Sequence, residues 1–524
     1  LEVVELFRQA KWNEPLIVEY PDKGLVGLNI QRVEAGIVEK VGGLKMPKGM
    51  MRETPINIPN LPEVVVVRHY TRLSQMSYGV DTGPVPLGSC TMKYNPRLAW
   101  DIAFDNRIVA LHPLQDESTV QGLLQMLFEL QKWLASITGM DACSLHPAAG
   151  AHGELAGVLT IRRYHELKGN LGLKREIIIP DSAHGTNPAS ASMAGFATIT
   201  VPTGEDGNVD FEALKSAVGD ATAGLMITNP STLGLFEERI IEIAELLHNH
   251  DALLYYDGAN LNGIMGYARP GDMGFDIAHL NIHKTFSSPH GGGGPGAGVV
   301  CVRDRIVDER RGVKLSDLIP GFIVVYDRET GLYKLKEPGP YSVGLIKAFF
   351  GNVIPLVWAY VYIASLGPQG LRKVAEHAVM ATNYFIKLVE GVKGLEIPFG
   401  RGRFRKHEVV LSASKLAEDT GVTAMEVAKG LLDAGFYAPT VYFPLIVKEA
   451  LQVEFTEAES LENIERYAER LREISKIAYE NPEIAKSWPS NTSVRLIDYV
   501  RGDHPKTVSP TWRVYLRRMR GELR

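Results

Sequence analysis

Lys284 stands in the stretch Asp276–Gly298, DIAHLNIHKTFSSPHGGGGPGAG, where one lysine precedes a glycine-packed loop. An amine that condenses with an aldehyde needs this setting if the aldehyde also carries a phosphate, because clustered backbone N–H groups bind phosphate. Asp257 lies 27 residues upstream, at the end of the apolar run ALLYYD. From a strand end its carboxylate could face a ring nitrogen and keep it protonated, so that the ring accepts electrons. Together the three features point to pyridoxal phosphate. Taken singly, each has a commoner explanation: lysines are mostly solvated, an Asp after a strand is often a cap or turn residue, and glycine runs are often flexible loops. Their order within one stretch favours the cofactor.

Further candidates surround this pair. In HPAAGAHGE, His146–Glu154, the small residues Ala149, Gly150 and Ala151 precede a helical stretch. Backbone N–H groups at such a helix start can approach a phosphate, where the positive end of the helix dipole favours an anion. The alternative is an ordinary small-residue turn. Asn229 and Thr232, in NPSTLGLFE, follow another strand-like run, and ligands of α/β sheets bind at strand ends.

Three segments carry a family resemblance: Asp257–Gly298, LGSCTMKYNP from Leu87 to Pro96, and SAHGTNPASASMAGF from Ser182 to Phe196. They resemble glycine decarboxylase, the P-protein of the glycine cleavage system, specifically over roughly Pro86–Gly298 and more diffusely beyond. The resemblance implies an α/β chain with the pyridoxal-phosphate-dependent transferase fold of the aspartate-aminotransferase type. It implies Lys284 as the Schiff-base lysine, Asp257 at the pyridine nitrogen and Ala149–Ala151 as the phosphate loop. His184 would stack on the ring, against the alternative of a turn histidine bonded locally. Asn281 and His283 resemble an Asn-x-His-Lys run whose histidine helps hold phosphate. Ser89, Thr91, Lys93 and Asn95 are family-like and fit a glycine pocket, but no spacing assigns their roles. Lys93 lacks an upstream aspartate at a strand end and is not the choice for the Schiff base.

The activity so implied is that of an aminomethyl-transferring glycine dehydrogenase of glycine catabolism. Glycine is decarboxylated with pyridoxal phosphate, CO2 leaves, and the aminomethyl group passes to the lipoyl arm of a separate H-protein. The length resembles subunit 2 of the family's two-subunit form, which implies a subunit 1 partner and a heterotetramer with two copies of each. Other possibilities stay open: a different fold-type-I enzyme, such as an amino-acid decarboxylase or aminotransferase, or a non-catalytic partner subunit. Lys284, Asp257 and His184 together argue against a mere scaffold.

These residues need elements to hold them. The apolar runs EIIIP, FATITV, GLMITNP, ALLYYD, DIAHL and GAGVVCV alternate with helical stretches between Glu176 and Val302. That alternation predicts a largely parallel sheet covered on both faces. Leu123, Leu124, Leu127, Leu130 and Leu134 have helical spacing. Residues 1–80 are expected to form an extended arm that includes RETPINIPNLPEVVVVRHY, residues 81–345 a large cofactor-binding domain, and residues 346–524 a small α+β domain. In the last, helices are expected at Leu371–Val392, Ala424–Ala434 and Ser460–Tyr479, with Thr456 and Glu459 as a capping box for the third. Strands are expected at Glu408–Leu411 and Leu451–Thr456. Ala348–Gly367 is uncharged and long enough to span a bilayer, but Asn352, Pro355 and the lack of a second span favour a buried interdomain helix.

Composition agrees with a soluble enzyme that buries a large core: hydrophobic residues make up 45%, charged residues 22%, and the net charge is -5. No basic excess points to nucleic acid. Cys90, Cys143 and Cys301 are too few and too scattered for a disulfide framework or a metal site, so a reducing, cytoplasmic compartment is expected. LEVVELFRQAKWNEP lacks the basic region and apolar core of a secretory signal, while a removed transit peptide stays open because the chain does not begin with Met. The five arginines between Arg513 and Arg524 read as a solvated face rather than a docking surface.

Overall fold

The structure is a computed structural model and describes residues 8–20, 33–42, 46–47, 49–51, 59–290, 296–504 and 511–522. The chain divides into two compact units, Val80–Trp488 and Leu1–Gly79 together with Pro489–Arg524.

The larger unit is built on a seven-stranded sheet of β1 (Ala142–Ser144), β2 (Glu176–Pro180), β3 (Ala197–Val201), β4 (Thr222–Thr228), β5 (Leu253–Gly258), β6 (Ile277–Asn281) and β7 (Gly298–Val302), in the order β1-β7-β6-β5-β4-β2-β3. Every residue of β4, β5, β6 and β7 is buried, as near-continuous apolar runs require when helices cover both sheet faces. Strands β2 to β6 pair in parallel, and β7 is antiparallel to both its neighbours. Among its described residues, the chain between β6 and β7 contains only a one-turn helix, too little for the crossover that a parallel return needs. Register places Thr228 of β4, Asp257 of β5 and His279 of β6 side by side. The chemistry-bearing strand ends therefore meet along one edge.

The helices that matter to this edge are α1 (Gln121–Thr138), α2 (Gly150–Lys168), α3 (Thr186–Met193), α4 (Ile282–Thr285), α5 (Val353–Val389) and α6 (Leu461–Glu480). Helix α1 buries the five leucines whose spacing predicts it. Helix α2 lies close on the sheet because its inner face is small: a Cβ on Gly157 would sit 2.3 Å from Tyr255 Cε2. Helix α5 is broken at Gly367, with φ +60, just before Pro368. Its first half holds the Val353–Gly367 part of the apolar run Ala348–Gly367, and it buries Leu356, Val357, Trp358 and Ala359 against α1 and the helix Arg97–Ala103. Among the described residues no helix is long and apolar enough to cross a membrane.

Beyond α5, β8 (Glu408–Ser412), β9 (Thr440–Val441) and β10 (Ala450–Glu454) form an antiparallel sheet in the order β8-β10-β9. The expected capping box of α6 does not form. Ser460 caps the helix by accepting the Asn463 N–H, while Thr456 and Glu459 close the turn before it. Ser460 wins because its short hydroxyl already sits at the N-cap position.

Two further expectations change. Cys143 and Cys301 form a disulfide: they are 158 residues apart in sequence but directly opposed across β1 and β7. In the smaller unit, part of the run expected to be an extended arm is helix Glu63–Gln75, entered from Pro62; Arg52–Ile58 lie outside the described residues. Proline fixes the backbone at a helix entry, and valines lower helix propensity only slightly. Glu14 ties the preceding segment to this helix by accepting hydrogen bonds from Arg72, His69 and Tyr20.

Candidate active site

Lys284 lies in α4, three residues past the end of β6, and is half-buried. Its charge acts on Glu154, His184, His279, His283, Glu408 and Glu454, groups drawn from six different segments. The lysine is the point where the strand ends, the start of α2 and the small sheet converge.

Asp257 is 2% exposed. Its Oδ1 accepts the Ala259 N–H at 3.0 Å and lies 3.5 Å from His279 Nε2. His279 is fixed in turn, with Nδ1 2.6 Å from the Tyr255 hydroxyl and Nε2 3.0 Å from Asn281 Oδ1. Behind the aspartate stands Glu154 of α2, which accepts the Thr186 hydroxyl at 2.9 Å. With its amide nitrogen turned inward, Asn187 donates to Asp257 Oδ2 and to both Glu154 oxygens at 3.2–3.3 Å. Burial, then the neighbouring Asp257, pushes the Glu154 carboxyl up to about 8. At pH 7 Glu154 therefore keeps its proton, and the two carboxyls do not both carry charge.

The expected phosphate loop starts α2, with Ala149 at the N-cap followed by Gly150 and Ala151. First-turn N–H groups have no partner inside their own helix and face outward with the positive end of the dipole. The fit there is close: a Cβ on Gly150 would lie 1.8 Å from Asn281 Nδ2, and one on Gly298 would lie 1.9 Å from the Ala149 carbonyl. Asn281 caps α4 beside this start. His283 has a buried Nδ1 with no partner, and burial, His290 and Lys284 push its ring down to about 3, so it is neutral. Gly296, with φ +78, passes so close that a Cβ would meet His283 Nδ1 at 2.3 Å. The glycine run itself, residues 291–294, lies outside the described residues.

His184 is exposed, with Nδ1 3.0 Å from Thr186 Oγ1 and its ring beside Phe443. These are the local bonds of a turn histidine, and they fix the ring without burying it. Asn229 and Thr232 reach the strand-end edge, but their side chains serve as loop ties. Asn229 Oδ1 accepts the Glu237 N–H, and Thr232 donates to the Ser182 carbonyl at 2.6 Å.

Glu154, Asn187, His279, Glu408 and Glu454 carry no assignment from sequence. Glu408 and Glu454 are buried cross-strand partners on β8 and β10. The segment Leu87–Pro96 reaches them through strained backbone. Ser89 (φ +65) and Thr91 (φ +46) occupy the left-handed region and turn their N–H groups onto Glu408 at 2.8 Å and Glu454 at 3.0 Å. Asn95 donates to the Ser287 carbonyl, which docks the same segment onto the chain just after Lys284. Lys93 is buried and held by Glu457 and the Tyr362 hydroxyl, both at 3.1 Å.

The site suits a pyridine aldehyde that bears a phosphate: an amine at Lys284, a buried carboxylate at Asp257, and a helix start that admits only small residues. Fold and site together define a chain of the aspartate-aminotransferase fold class of pyridoxal-phosphate enzymes. Residues 102–328 match the family model described as "Glycine cleavage system P-protein", and residues 374–499 match "Glycine dehydrogenase, C-terminal domain". The chain is 67% identical to "Probable glycine dehydrogenase (decarboxylating) subunit 2" of Staphylothermus marinus, over 98% of this chain and 99% of the relative. It is 61% identical to the protein of the same description in Aeropyrum pernix, over 99% of each. Among solved structures, an inhibitor-bound glycine decarboxylase (P-protein) of the glycine cleavage system aligns with TM-score 0.68 at 22% identity, covering 85% of this chain and 100% of that one. The sphingosine-1-phosphate lyase of Burkholderia pseudomallei aligns with TM-score 0.58 at 16% identity, over 86% and 97%. The chain belongs to the glycine dehydrogenase (decarboxylating) subunit 2 family.

Proposed function

We propose that this chain decarboxylates glycine with pyridoxal phosphate, releases CO2 and hands the aminomethyl group to the lipoyl arm of an H-protein. It does so with a subunit 1 partner, as a heterotetramer of two copies of each. The observation that carries the proposal is the convergence of Lys284, Asp257 and the α2 start in a chain 67% identical to a relative of that description.

Lys284, Asp257, His184, the Ala149–Ala151 helix start, Asn281 and His283 would hold the cofactor. Bound there, pyridoxal phosphate supplies an electron-accepting ring for the electron pair left when the carboxylate departs. The protein's own residues do the rest. The first-turn N–H groups of α2 would orient the phosphate, and His283 beside them is neutral. Asp257 supports a proton on the ring nitrogen, and protonated Glu154 with Asn187 keeps that carboxylate in place without adding a second charge. His184 closes the exposed side of the ring. Lys284 Nζ would supply the amine that holds the cofactor's aldehyde. Asn229 and Thr232 hold the surrounding loops rather than the ligand.

The test is exchange of labelled CO2 into the glycine carboxyl group, measured with subunit 1 and a lipoylated carrier. Exchange is expected with that carrier and is expected to fall to background with an unlipoylated one, while the chain alone turns over poorly. Equal rates with both carriers, or direct conversion of glycine to methylamine, would favour the simple decarboxylase over lipoyl transfer.

A further inference from the structure

Glu408 and Glu454 stand directly opposite each other on β8 and β10, both at most 1% exposed. Two carboxylates so close cannot both stay charged out of water without strong compensation. The compensation is incomplete. Glu408 Oε2 accepts Ser89 N–H, its Oε1 accepts Asn260 Nδ2 at 2.9 Å, and Glu454 Oε2 accepts Thr91 N–H, but Glu454 Oε1 is buried without a partner. His407 closes the pocket. It is fully buried, both ring nitrogens lack partners, and Nε2 lies 3.9 Å from Glu408 and 4.0 Å from Glu454. Burial pushes this ring down to about 3, so it brings no positive charge. Of the nearby cations, Lys93 is paired with Glu457 and acts on Glu454, whereas the charge of Lys284 acts on both glutamates. Cys90, also nearby, is a thiol held up by burial and brings no positive charge.

We propose that Glu408 and Glu454 share one proton beside Lys284 and act through it as its proton partner. The exchange balances: an ammonium at Lys284 and a singly protonated pair become a neutral amine and a doubly protonated pair. One proton moves, no bond other than N–H and O–H changes, and the net charge of the buried site stays constant. The pair returns the proton when the amine is restored. Burial raises both carboxyls, Glu454 to about 7, which puts the second proton within reach near neutral pH. The glutamates are positioning residues, and the proposal rests on Lys284 being the reacting amine.

The test reads the amine in the cofactor-free full chain, from the pH dependence of Lys284 acetylation followed on its own peptide. A singly charged pair has a signature. Glu408→Gln or Glu454→Gln leaves one charged carboxylate, so each single change moves the Lys284 midpoint by less than about 0.5 pH unit. The double change removes the charge and lowers the midpoint by about 1 pH unit or more, the scale expected when an opposite charge within reach is lost. Equal steps for each single change would mean two charges and overturn the proposal, as would no shift in the double variant or a stoichiometric divalent cation lost in E454Q. If the double variant fails to fold, the infrared difference between wild type and E454Q at pH 7 decides. Loss of a protonated-carboxyl band is expected, and loss of a carboxylate band alone would overturn the proposal. Borohydride labelling in the presence of pyridoxal phosphate tests separately whether Lys284 is the reacting amine.

Discussion

Asp257 combines deep burial with few neutralising contacts, and the proposed chemistry turns on its charge. Asp257→Asn keeps the shape and removes that charge, so kcat should fall at least about a hundredfold, or about 2.7 kcal/mol of barrier. Steady-state exchange rates check this, and activity within about threefold of wild type would mean that Asp257 does not face the ring nitrogen. Glu154 gives a pH signature. Its folded pKa of about 8 lies above the ordinary carboxyl value, so its proton is lost as pH rises through about 8 and a second negative charge then appears beside Asp257. The alkaline limb of kcat/KM near pH 8 should be present in wild type and absent in Glu154→Gln. Lys284 and Asp257 were legible in sequence because each follows an apolar run, where a strand end is expected. Glu408 and Glu454 were not, because a lone glutamate at the edge of a short apolar run looks like a solvated strand terminus until the register pairs it with another. His279, inside β6, carries the same ambiguity.

At the scale of elements, the site depends on how closely the start of α2 meets α4 and β7. Gly298→Ala would drive a Cβ into the Ala149 carbonyl, and Gly150→Ala would drive one into the Asn281 amide. Each should lose about 1–3 kcal/mol of stability and weaken pyridoxal-phosphate binding, checked by thermal melting and by cofactor titration. The small sheet adds a pH dependence. Burial raises the Glu454 carboxyl to about 7 in the folded chain, above the ordinary carboxyl value of about 4.5, so its stabilising contribution is full below pH 4.5 and is lost as pH rises through about 7. The melting temperature of the cofactor-free chain should fall between pH 5 and 8, and Glu454→Gln should flatten that slope. Continuous burial made the parallel strands legible. The α6 cap and the helix at Glu63–Gln75 were less so, because several residues there could each have set the boundary and only packing chose among them.

For the whole molecule, the Cys143–Cys301 bridge closes a 158-residue loop around most of the central sheet. Replacing either cysteine with alanine should cost about 2–4 kcal/mol, read from denaturant unfolding of the larger unit under oxidising conditions. No sequence spacing announces such a pair, since only the β1–β7 register brings it together. The fold class was legible as a whole because strand and helix alternate along some 125 residues between Glu176 and Val302. Central to the proposed chemistry, the strands of that sheet deliver one reactive amine. Borohydride reduction of the chain with pyridoxal phosphate, followed by peptide mapping, tests this directly. A pyridoxyl group is expected on Lys284 and on no other lysine, lost altogether in Lys284→Ala. A label on Lys93 or Lys347 with Lys284 unmodified would contradict it.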